Sequence, residues 1–217
     1  MENTELIAAA IQEIEHPTWG VVEQFLEIHE IEYHDGKPVI AGIKTDETEK
    51  KATIYFNVKD EAFHFAVTLD IEPEMQVSAA NTEEFCHVYF TAWSDTLQLP
   101  DLAALTHLTP TDSSDIGDKT GFRDDIATVS TIEFKPNAGP GATNEKLKQL
   151  LTFLEQDVDG IKQLVAEADG SVQVHTVFHN GNTMLGGIYL DKEDIQRLAA
   201  FNLEIDFDLY AEGNKFK

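Results

Sequence analysis

Glu204, Asp206 and Asp208 alternate with Leu203, Ile205, Phe207 and Leu209, and carboxylates two apart on a strand stand on one face about 6.5–7 Å from each other. Oxygens of that kind suit calcium or magnesium, but a hard cation needs several of them converging at about 2–2.6 Å, which a straight strand does not supply. The reading that follows is a solvent-facing acidic strip that keeps a sheet edge from pairing. His175 and His179 share a strand face, yet four residues of strand span about 13 Å, too far for one metal ion. His29 and His34 flank an expected hairpin, His64 lies on a polar strand face, and His87 follows Cys86. Neighbours on a strand face opposite sides, so Cys86 and His87 make no nucleophile and base pair. Cys86 is expected to be buried and inert.

The run Gly139-Pro140-Gly141-Ala142-Thr143-Asn144 precedes a helix, whose free N–H groups attract phosphate. It lacks both the Walker lysine with its serine or threonine and the dinucleotide glycine spacing, and reads as a plain connector. No serine-hydrolase elbow, zinc-protease helix or paired-cysteine zinc motif is written in the chain. No complete ligand set for a metal or cofactor is legible, and the expectation is a protein without catalytic residues. Aromatic strands such as His87 to Trp93 lack the basic neighbours that an RNA-binding sheet needs.

The formal charge is −25, from 40 acidic against 15 basic residues spread over folded segments rather than gathered in a tail. Such a surface repels nucleic acid and anionic membranes and draws a basic partner at long range. A single cysteine allows no internal disulfide and points to a reducing, cytoplasmic home. No basic segment followed by an apolar run opens the sequence, and no stretch is apolar enough to span a bilayer.

The elements that must hold these residues follow from periodicity. Leu6, Ile7, Ala10, Ile11 and Ile14 stripe a first helix, capped by Asn3 or Thr4 and ended by His16-Pro17. Val21, Val22, Phe25 and Leu26 suit a helix, but the alternation at Ile31 and Tyr33 before Asp35-Gly36 favours a strand pair. Ile54 to Val58 and Phe63 to Ile71 alternate as half-buried antiparallel strands. Glu72 to Glu84 carries few apolar residues and reads as the connection between an N-terminal domain, 1–82, and a C-terminal one, 86–217. There follow a strand at His87 to Trp93, a helix through Leu99, Leu102 and Leu105, and a polar loop from Thr109 to Gly121. A strand at Ile126 to Phe134 precedes a long helix from Asn144 to Val165. Val172 to Phe178 and Met184 to Leu190 read as a hairpin about Asn180-Gly181-Asn182. Asp191 caps a helix through Ile195 and Leu198, and the acidic strand closes the order. The fold class is α+β: a helix with an antiparallel meander, then a ferredoxin-like, split βαβ sandwich in which strand, helix, strand, strand, helix, strand run from Ile126 onward.

The run His87-Val88-Tyr89-Phe90-Thr91-Ala92-Trp93-Ser94, the Leu108-Thr109-Pro110-Thr111 element with Gly117-Asp118 behind it, the helix with Leu147, Leu150, Leu151 and Leu154, and the closing Leu203 to Tyr210 together resemble the bacterial domain-of-unknown-function family numbered 4279. The resemblance covers roughly residues 86 to 213. That family often carries a tryptophan after the glycine-containing loop, where Ile126-Ala127-Thr128 stands here. It implies a fold and a bacterial origin and brings no activity or catalytic residues. The functional expectation is a non-enzymatic binding protein, of the immunity type that neutralises a toxin by occupying it, with a basic protein as partner. Asp112, Asp115 and Asp118 in the long loop are its candidate contacts. The alternative is a small-ligand or enzymatic site between the two domains.

Overall fold

The computed structural model describes residues 3–119, 125–181 and 187–216. Helix α1 (Asn3–Glu15) buries Leu6, Ala10 and Ile14, the stripe that the helical period draws. Helix α2 (Gly20–Leu26) buries Val22 and Phe25, so the first half of the expected strand pair is helical. Only a small hairpin follows, β1 (Tyr33–His34) with β2 (Lys37–Pro38). Asp35 and Gly36 turn it with φ of 50° and 75°, the left-handed pair that this tight turn requires.

Strands β3 (Ile40–Asp46), β4 (Lys51–Asn57), β5 (His64–Asp70) and β6 (Gln76–Glu83) form an antiparallel sheet in that order. Its Ile54, Phe56, Phe65, Val67 and Leu69 pack under α1 and α2 in one core. Strand β6 takes up most of the stretch read as a connection. It is an edge strand needing few apolar side chains, and Val77 and Ala80 supply them.

The second sheet runs β11-β10-β7-β9-β8. Strand β7 (Phe85–Ser94) lies at its centre, and α3 (Leu99–Ala104) follows. Strand β8 (Asp112–Ser114) emerges from the expected loop and pairs with β9 (Ser130–Phe134). The expected long helix is two, α4 (Thr143–Leu154) and α5 (Val158–Glu167), joined by a 3-10 turn at Glu155–Asp157. The break falls at Asp157. The Asp157 carboxylate accepts the Gly160 N–H at 3.0 Å, the Thr106 hydroxyl at 2.6 Å and the His107 N–H at 2.7 Å. A Cβ at Gly160 would lie 2.2 Å from that carboxylate, so only glycine admits the cap.

Strand β10 (Asp169–His179) leads to α6 (Lys192–Phe201) and β11 (Glu204–Glu212). Asp191 caps α6, as its position predicts, by accepting the Asp194 N–H at 2.8 Å. Of the expected returning strand, residues 187–190 are not in strand conformation and the rest, with Asn182 of the turn, lies outside the described residues. Strand β11 pairs with β10 in parallel. Strands β9 and β10 are parallel with β7 between them, and α4 and α5 connect them. Cys86, Val88, Phe90, Ile132, Phe134, Val172 and Val174 meet Leu147, Leu150, Leu164 and Phe201 in a second core. All the helices of this half cover one face of the five-stranded sheet. The architecture is mixed α+β with antiparallel sheets and an N-terminal helix. Among the described residues no helix is long and apolar enough to cross a membrane.

Candidate functional site

The other face of that sheet carries a different set of side chains. Residues paired across a ladder share a face, so the register lines up Asp206, Gln173 and Tyr89 in one row and Asp208, His175 and His87 in the next. On either side stand Glu204, Ser171, Thr91, Glu133 and Asp112, and Tyr210, Val177 and Phe85. Rings gather in the middle: Phe85 and His87 lie 4.4 Å apart between centroids, and His175 and Tyr210 5.0 Å. Phe85, His87, Tyr89 and Trp93 are half-buried on this face. Carboxylates hold both margins, Glu204, Asp206, Asp208 and Glu212 on β11 and Glu133 and Asp112 on β9 and β8.

The field of these acids reaches the rings. The Tyr89 hydroxyl is pushed up, first by burial and then by Glu133 and Asp208. The His87 imidazole is pushed down to about 4, first by burial and then by Lys135, Lys146 and His175. At one end of the face a cavity of about 520 Å³ is lined by Trp93, Gln173, Asp169, Glu204 and Asp206, among others. An aromatic ring beside carboxylates suits an ammonium or guanidinium group.

At the other end the face closes. His179 is buried against His29 of the first half, their Nε2 atoms 3.0 Å apart. The Asn214 N–H donates to His29 Nε2 at 3.2 Å, and the Asn214 carbonyl accepts from His179 Nε2 at 2.8 Å. These bonds place the proton on Nε2 of His179 and on Nδ1 of His29, which faces the Glu61 carboxylate at 3.6 Å. Phe216 packs edge-on to His179 and joins the first core. No spacing announces this pair, whose members are 150 residues apart. His175 sits beside Asp208 on the open face, and His179 lies under the tail, in register with Glu212.

A third polar cluster lies where the halves touch. Gly42 leaves room for Pro140, whose ring would come within 2.8 Å of a Cβ there. Cys86 is buried, with its sulfur 3.1 Å from the Thr143 hydroxyl. Lys146 is buried beside it and donates to the Cys86 carbonyl. Burial holds the Lys146 amine below its ordinary range. Thr143 also lines a cavity of about 260 Å³ with Glu84, Asn144, Phe178 and Tyr189, among others. Among the described residues no group of three or more His, Cys, Asp or Glu side chains is placed to hold a metal ion.

The three loop aspartates have unequal roles. Asp115 accepts from Leu99 N at 2.9 Å, Ile116 N at 2.9 Å and Ser130 Oγ at 2.7 Å. Its carboxyl is held below the usual range, the Ser130 bond being the largest cause. Asp118 accepts the Asp115 N–H at 2.8 Å. The Asp112 carboxylate accepts from its neighbour, Ser113 N, at 2.8 Å, and stands on the open face of the sheet. Asp115 and Asp118 therefore fold the loop, while Asp112 presents charge.

No curated protein and no solved structure matches the chain. The family described as a domain of unknown function, DUF4279, matches residues 84–212, from the start of β7 to the end of β11. That match spans more than half of the sequence and takes in the entire five-stranded sheet, so the chain belongs to the DUF4279 family.

Proposed function

We propose that this chain is a non-enzymatic binding protein that takes a basic protein on the open face of its five-stranded sheet, in the manner of an immunity protein occupying a toxin. The observation that carries the reading is the make-up of that face, with rings at its centre and carboxylates along its margins. Aromatic anchors desolvated inside a polar rim are where binding energy concentrates. The surrounding charge of −25 accelerates encounter with a positive partner. In this reading the two cores are separate domains, and the split βαβ unit, the ferredoxin-like element of the fold, serves as the platform.

The test is capture from a lysate of the source cell by the full chain and by a Tyr89→Ala, Trp93→Ala variant with an unchanged unfolding curve. The expected result is a basic protein retained by the parent and lost by the variant, associating more slowly as salt rises. An acidic partner, or one that the variant retains, would sink the proposal. The second reading, a small ligand between the halves, is favoured by Lys146, a buried amine with no carboxylate in ion-pair range among the described residues. Glu84 in the neighbouring cavity sets that reading against anionic ligands.

A further inference from the structure

Strand β11 forms the outer edge of the five-stranded sheet and every one of its nine residues is exposed or half-buried. Proteins blunt such edges with bulges, prolines, lysines or brevity. At the far side of this sheet β8 has three residues, and in the first sheet β3 carries an irregularity between Ile40 and Gly42 as well as Lys44. Strand β11 has no bulge, proline or lysine and relies on charge alone, that of Glu204, Asp206, Asp208 and Glu212, and its register with β10 runs unbroken from Glu204 to Glu212.

The direction of its free backbone groups can be read. The Asn180 N–H donates to the Glu212 carbonyl at 2.6 Å, so Glu212 turns its backbone towards β10. The N–H and C=O of one strand residue point the same way and alternate along the chain. Glu204, Asp206, Asp208 and Tyr210 therefore also bond inwards, while Ile205, Phe207, Leu209 and Ala211 present N–H and C=O outwards. The Phe207 N–H confirms the phase, since the Asp206 carboxylate satisfies it at 2.9 Å.

We infer that β11 is a docking edge for an extended segment of the partner in which lysine or arginine alternates with apolar residues. This rests on the proposed basic partner and adds how that partner is held. Pairing between two copies is opposed, because the carboxylates of β11 share one face and would meet carboxylates. A basic strand meets the opposite situation. Its cations lie over Glu204, Asp206 and Asp208, and its apolar side chains continue the row of Phe207 and Leu209, the latter 55% exposed. As a cation takes up Asp206, the Phe207 N–H is released to the new ladder.

The probe is a capped nonapeptide of alternating lysine and valine, with a control of the same composition in two blocks. Bound to the full chain, it should slow amide exchange at Leu209 and Ala211 by about tenfold or more and leave Asp206 and Asp208 unaffected. Ala211→Pro removes an outward N–H and no existing ladder bond, a change that edge strands tolerate, and should abolish binding; Asp206→Asn with Asp208→Asn should weaken it. The exchange measurement needs no variant to fold. No binding, binding without protection at Leu209 and Ala211, equal binding of the block peptide, or indifference to Ala211→Pro would each overturn the edge. A basic partner that the Tyr89 and Trp93 variant loses would still uphold the face.

Discussion

The His87 imidazole is pushed towards its neutral form by burial first and then by Lys135, Lys146 and His175, and burial lowers His64 and His179 in the same direction. Each of these groups binds its proton more tightly in the unfolded chain, where the value is near 6.5. Their contribution is complete above that pH and is lost as pH falls through it, the His87 part being spread down to about 4. Urea unfolding at pH 7 and pH 5 should therefore give a lower midpoint at pH 5, and His87→Gln should narrow the gap. A gap that ignores the substitution would mean that His87 is already solvated. At this scale the sequence is least informative. His175, His179, Tyr89 and Trp93 are visible as strand residues, but a period of two does not say which strand lies beside which. The meeting of His29 with His179 depends on a tail that bends back across both, and no local pattern encodes that.

Elements were legible wherever one face is buried. The alternations of β4, β5, β7 and β10 and the period of α1, α4 and α6 are written in their apolar residues, because each has a core to face. Strands β6 and β8 escaped because an edge strand satisfies its backbone on one side and needs little apolar surface. Strand β11 shows the converse: its alternation predicts Ile205, Phe207 and Leu209 in the core, but at the edge cover thins out. Ile205 and Phe207 are partly buried, whereas Leu209 is exposed. The weight falls instead on Phe90, fully buried and stacked on Phe134 at 5.9 Å. Phe90→Ala should cost about 3–5 kcal/mol, and Leu209→Ala less than about 0.5 kcal/mol, by denaturant titration. Comparable losses at the two sites would show that β11 is covered in solution.

At the scale of the whole molecule, two cores lie in one chain, one under α1 and α2 and one under α3 to α6. A chain joined only through β6 and β7, the Gly42–Pro140 contact and the exposed Lys44–Glu145 pair would leave each nearly free to melt at its own temperature. The Asn214 clamp changes that. Its side chain donates to the Ile28 carbonyl at 3.0 Å while its backbone bonds both histidines, and Phe216 lies among the residues of the first core. The last residues of the second half are thus part of the first, and losing either core exposes the other's buried histidine. Calorimetry of the full chain should show a single transition whose calorimetric and van't Hoff enthalpies agree. Ending the chain after Gly213 should split it into two, the lower belonging to one half alone. A few residues at the C-terminal end then act as the thermodynamic coupling between halves: a protease that clips the tail would leave both folds in place yet turn one cooperative unit into two independent ones.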